Sequence, residues 1–133
     1  MGADNQQLAK QFFDSLQAGE FSDELLTEDF HSWTLSSGAS DKAKFLGGIK
    51  LFAAVIKGGP TYTIETLTSE KNRIVAETSS SWQLINGESV DTRAVFIMEI
   101  ADGKIASVKE YMNPAVPREK LGPPIQKMLS EQN

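Results

Sequence analysis

Apolar positions recur at helical spacing in the first third of the chain and alternate with polar ones over most of the rest. From Asp4, the residues Leu8, Phe12, Phe13 and Leu16 fall on one helical face, and Gly19 is a natural stop. Phe21 and Leu25-Leu26 predict a short second helix with Ser22 as its cap, after which TEDF leads into a first strand through His31, Trp33 and Leu35. Ser36 to Ser40 reads as loop. Ser40 or Asp41 then caps a third helix whose stripe is Phe45, Ile49, Phe52 and Ile56, with Gly58-Gly59-Pro60 as its stop and Gly47-Gly48 as a weak point inside it.

Beyond Pro60 the pattern predicts four strands. PTYTIETLTS and RIVAETSSSWQLI join near Lys71-Asn72, ESVDTRAVFIMEI follows across Asn86-Gly87, and KIASVKEYM follows Asp102-Gly103. Asn-Gly and Asp-Gly are strong hairpin signals because both residues tolerate positive φ. Helices first and a meander afterwards, without βαβ alternation, predict an α+β fold with helices over one face of an antiparallel sheet. Residues 114–133 form a proline-punctuated polar tail with room for one short helix.

Composition narrows the function classes. With 133 residues, 40% hydrophobic and 23% charged, the chain suits a single domain over 1–133, its core running from about 4 to 113. A formal charge of -5 and the lack of a Lys/Arg cluster argue against nucleic acid as a partner. The absence of cysteine removes disulfides, thiolate metal sites and thiol nucleophiles. A polar start without a signal-like apolar run, and no run long enough to span a bilayer, make a cytoplasmic protein without membrane association the expectation. Gln6 stands where a myristoylation motif wants Ser or Thr. One histidine among scattered carboxylates predicts no metal site, and nothing in the chain calls for a cofactor.

The order of elements, together with LAKQFFDSLQAGEF, LLTEDFHSW and IADGKIASVKEYMN, resembles the nuclear transport factor 2-like superfamily, particularly its SnoaL-like and ketosteroid-isomerase-like branches. The resemblance covers roughly residues 4 to 114. It implies a cone-shaped α+β barrel, three N-terminal helices on a strongly curved antiparallel sheet, often homodimeric, with an internal pocket for small apolar molecules. Such folds serve isomerases, cyclases, dehydratases, epoxide hydrolases and non-catalytic proteins alike.

Carried over position by position, the resemblance removes the best-known chemistry. Phe12 stands where a ketosteroid isomerase has its tyrosine, Thr34 at the general base and Phe96 at the oxyanion-binding aspartate. Neither phenylalanine donates a hydrogen bond, and a threonine hydroxyl is far too weak a base. In the limonene-epoxide-hydrolase-like pattern, the middle-strand Arg-x-Asp positions fall on Ser79 and Ser81, and only the last carboxylate is kept, as Glu110.

A two-residue turn at Asn86-Gly87 predicts that Val75, Glu77, Ser79, Ser81 and Gln83 share a face with Val90, Thr92, Ala94, Phe96 and Met98. A three-residue turn at Asp102-Gly103 adds Ala106, Val108, Glu110 and Met112, and the resemblance makes this the cavity side. The opposite face then carries Trp82, Arg93 and Tyr111 among mixed apolar and charged residues, which suits a homodimer interface.

Glu110 is the candidate acid/base, since a carboxylate facing an apolar cavity has a raised pKa; a solvated rim glutamate is the competing reading. Phe12, Thr34, Ser79, Ser81, Phe96, Val108 and Met112 are the candidate ligand contacts. Glu77 reads as a surface-strand glutamate before a site residue, and His31 as structural or exposed, because alternation turns it away from Ser32 and Thr34. The serine run Ser79-Ser80-Ser81 lacks the elbow and positioned histidine of a serine hydrolase. The expected function is binding of a small hydrophobic molecule, with proton-transfer isomerisation or cyclisation as the catalytic reading and a non-catalytic binding module or dimeric interaction domain as the alternatives.

Overall fold

The computed structural model describes residues 2–131, with side chains from residue 5. Met1 and the last two residues of the tail lie outside the described residues. The elements are α1 (Gly2–Ala18), β1 (Leu26–Thr34), β2 (Gly38–Asp41), α2 (Lys42–Ala54), β3 (Thr63–Glu70), β4 (Arg73–Gln83), β5 (Ser89–Ala101) and β6 (Lys104–Met112). A π-helical turn, Val116–Leu121, then leads into α3 (Gly122–Glu131).

The six strands form one curved, open sheet in the order β2-β1-β6-β5-β4-β3, with β2 and β3 as its edges rather than the seam of a closed barrel. All neighbours are antiparallel except β1 and β6, which run parallel. Register shifts occur in β1 between Leu26 and His31, in β3 between Ile64 and Thr66, and where β5 meets β6. Extra residues of this kind bend the strand that carries them.

Three local expectations change. Phe21 to Leu25 is too short to nucleate a helix and forms a turn, in which Ser22 still caps: the Glu24 N–H donates to Ser22 Oγ at 3.0 Å and the Leu25 N–H to the Ser22 carbonyl at 3.1 Å. The predicted loop after β1 is a hairpin, β2 pairing back with Ser32 opposite Ser40 and Thr34 opposite Gly38. α2, capped by Asp41 through a 2.9 Å bond from the Lys44 N–H, runs through Gly47-Gly48 and ends at Ala54, before Gly58-Gly59. Val55 and Ile56 leave the helix to meet β4's end, the Ile85 N–H donating to the Val55 carbonyl at 2.9 Å. The third helix is therefore C-terminal, not N-terminal.

Gly59 has φ +77, and a Cβ there would lie 1.9 Å from the Gln17 carbonyl oxygen. Only glycine lets the chain cross the end of α1 so closely. The main core joins α1, α2 and the sheet through Phe12, Phe13, Leu16, Phe30, Ile49, Ile74, Phe96 and Met98. A second cluster packs Val116 and Leu121 of the tail against Trp82, Leu84 and Val90, with Ile125 and Met128 at its margin. Tyr62 and Met112 touch both clusters.

Candidate functional site

What each face of the sheet presents depends on one turn. The Leu84 N–H donates to the Glu88 carbonyl at 2.8 Å and the Gly87 N–H to the Leu84 carbonyl at 3.0 Å, so the connection holds three residues, Ile85-Asn86-Gly87, with Gly87 at φ 93. This moves the pairing by one residue from the two-residue expectation: Ala76 faces Phe96, Thr78 faces Ala94, Ser80 faces Thr92 and Trp82 faces Val90. Every β4 side chain changes sides. Val75, Glu77, Ser79, Ser81 and Gln83 lie on the face opposite Phe96, which corrects the assignment of Ser79 and Ser81 to the inner side. Burial decides the register, since this choice hides Ile74, Ala76, Trp82 and Leu84 where the other would bury Glu77 and Gln83.

The next turn reaches the expected pairing by a different route. Asp102 at φ 54 and Gly103 at φ 75 make a two-residue connection, Ala101 opposite Lys104. Ala106 is then an extra residue between the pairs Ile100–Ile105 and Glu99–Ser107. From there Met98 faces Val108, Phe96 faces Glu110 and Ala94 faces Met112, so these six share the inner face as expected.

The parallel pairing of β1 sets Thr34 beside Glu110 and Ser32 beside Val108. Glu110 is thus flanked by Phe96 on one strand and Thr34 on the other. The Thr34 hydroxyl accepts from the Ser37 N–H at 2.9 Å and lies 3.4 Å from Ser36 Oγ, so it also closes the β1–β2 turn. Phe12, 1% exposed, sits at the centre of an aromatic cluster whose rings reach Phe13, Phe21, Phe45 and Phe96 at centroid distances of 5.4 to 6.5 Å.

Tyr62, just before β3, joins that cluster through Phe13 at 5.1 Å, Phe96 at 5.7 Å and Trp82 at 6.1 Å. Burial raises its phenol well above the ordinary value, and the nearby Glu110 charge raises it further. Burial likewise lifts the Glu110 carboxyl from 4.5 to about 7. Among the described residues no side-chain hydrogen bond or salt bridge holds this carboxylate, and desolvation without a compensating partner favours its neutral form. The residue nonetheless keeps partial contact with solvent, so protons have access to it. Tyr62 was not visible as a candidate from the sequence, because Glu110, whose charge acts on it, lies far along the chain and only the folded sheet brings them near each other.

The outer face holds the remaining candidates. His31 is exposed there, as alternation predicts, and Glu77 accepts from Thr66 Oγ1 at 3.3 Å. Trp82 is corrected: it is 3% exposed, packs edge-on against Phe52 at 5.1 Å and donates from Nε1 to the Thr61 carbonyl at 3.4 Å, so it is a core residue and not an interface anchor. Arg93 and Tyr111 are exposed on the outer face, where Tyr111 packs against Trp33 at 5.3 Å. Ser79 and Ser81 line a groove of about 630 Å³ together with Thr63, Asp91, Arg93 and Asn113 of the outer face, and Ser80, Thr92 and Val116 also border it.

With this geometry in place, comparison with known proteins defines the class. The structure superposes on a nuclear transport factor 2-like protein from Anabaena variabilis with a TM-score of 0.74, at 21% identity over 84% of this chain and 87% of that one. A protein from Bacillus subtilis provisionally assigned as an isomerase gives 0.75, at 20% identity over 90% and 94% of the two chains. A protein from a Jannaschia species provisionally assigned as a SnoaL-like polyketide cyclase gives 0.73, at 14% identity over 90% and 92%. The chain has the nuclear transport factor 2-like fold, with SnoaL-like proteins among its structural neighbours. No protein-family model matches the sequence, and no curated protein does. Among the described residues no helix is long and apolar enough to cross a membrane.

Proposed function

We propose that the protein binds a small, largely apolar molecule against the inner face of the sheet and moves a proton on it, as an isomerase or cyclase without a metal. The observation that carries this reading is Glu110: a carboxyl with no side-chain hydrogen bond or salt bridge among the described residues, raised to about 7 by burial, on the inner face between Phe96 and Thr34. A general acid/base works best when its pKa lies near the operating pH. Tyr62, kept neutral by its raised pKa, supplies a hydroxyl that can donate to an oxygen on which negative charge develops. Phe12, Phe96, Val108 and Met112 supply the apolar contacts. Neighbours provisionally assigned as polyketide cyclases and as an isomerase support the reaction class.

Exchange of α-protons for deuterium on a panel of small cyclic ketones, followed by NMR, tests this. The native protein is expected to accelerate exchange on at least one ketone, and Glu110→Gln to reduce that rate by about a hundredfold or more with binding retained. Equal exchange in the variant overturns the acid/base role. Binding without exchange leaves the same residues as a ligand site with no proton transfer.

A further inference from the structure

We propose that the outer-face groove is a second binding site, for a small molecule bearing a carboxylate or phosphate group. Register brings its residues into one line across the sheet. Thr63 faces Ser79 and Ser79 faces Arg93, and the β5–β6 pairing continued one residue past Ala94–Met112 sets Arg93 opposite Asn113. Neighbouring strands lie about 4.8 Å apart, so the four side chains make a continuous row, and all four line the groove of about 630 Å³.

The hydrogen-bond inventory of this row is one-sided. The Asn113 carboxamide oxygen accepts from the Ala115 N–H at 3.0 Å, which leaves its NH2 donors unspent. Arg93 takes part in no salt bridge among the described residues. Asp91, the groove's carboxylate, accepts from Ser81 Oγ at 2.5 Å, and among the described residues it forms no salt bridge with Arg93. Two hydroxyls, a guanidinium and an amide NH2 are left to face the same space. A planar guanidinium flanked by neutral donors matches an oxyanion, which can accept two parallel bonds from Arg and further bonds from its neighbours. The hydroxyl and carboxamide composition differs from the aromatic centre of a protein interface, so the groove fits a small ligand better than a second copy of the chain.

Titration of the 15N-labelled full-length protein with inorganic phosphate and, separately, with succinate, at constant ionic strength, tests the site. Saturable NMR shifts are expected at Ser79, Arg93 and Asn113 in the millimolar range. Arg93→Ala is expected to weaken them about tenfold or more. Asn113→Asp keeps the oxygen that accepts from Ala115 but replaces the NH2 by a carboxylate, and is expected to weaken binding similarly. Lys109→Ala, which removes the same charge elsewhere on this face, is expected to leave affinity unchanged. Absence of saturable shifts, insensitivity to Arg93→Ala, or equal weakening by Lys109→Ala overturns the proposal. So does a change in sedimentation mass on Arg93→Ala, which would make this face a contact between copies.

Discussion

The two faces of the β4–β5 ribbon are written in the same alternating code but have opposite chemistry. The inner side of this ribbon presents Ile74, Ala76, Trp82, Ala94, Phe96 and Met98, all buried, whereas the outer presents Glu77, Ser79, Ser81, Asp91 and Arg93. On the inner face even a single carboxyl, Glu110, has no hydrogen-bonded partner among the described residues and shifts its protonation instead. On the outer face the exposed Asp91 accepts a hydrogen bond from Ser81 Oγ. A one-residue difference in the Asn86-Gly87 turn decides which serines and which tryptophan belong to which environment.

The largest effect of breaking this comparison is expected at Trp82. If the observed register is right, Trp82→Ala opens a cavity between Phe52, Tyr62 and Leu84 and costs about 3–5 kcal/mol in urea unfolding. The outer-face Tyr111→Ala should cost no more than about 1 kcal/mol. Similar costs for the two would mean that Trp82 faces outward. At the small end, Ser81→Ala removes the hydroxyl bond to Asp91 on the exposed face, with an expected loss of about 0.5 kcal/mol or less. A loss well above 1 kcal/mol would show that this face is buried in solution.

Much of the architecture was legible in the chain. The helical stripe of Leu8, Phe12 and Leu16, the four later strands and the hairpin signals at Asn86-Gly87 and Asp102-Gly103 lie where the pattern predicts. Local signals fall short where a distant partner decides. Asn-Gly serves a two-residue turn and a three-residue one equally well, and the choice rests on Trp82 finding Phe52 and Tyr62. Ile56 continues the helical stripe of α2 but is claimed by Leu84 on the sheet. The parallel contact that sets Thr34 beside Glu110 joins the two ends of the chain and leaves no local mark. For the same reason Glu110 could be singled out from the sequence while Tyr62 could not.

The effect of intermediate size concerns pH. A carboxyl at about 7 in the folded chain and near 4.5 in the unfolded one makes the native state bind more protons between those values. Its contribution to stability is therefore fully present below pH 4.5, falls as pH rises to about 7, and is flat above. A shift of this size corresponds to a change on the order of 3 kcal/mol. Glu110→Gln should abolish this slope and be the more stable protein at pH 8.

The central claim is that Glu110 is a neutral-range proton carrier on an apolar face. Titration of its side-chain carboxyl by 13C NMR tests that directly. A midpoint near 7 is the expected result, and a midpoint in the ordinary carboxylate range, near 4.5, would contradict the account.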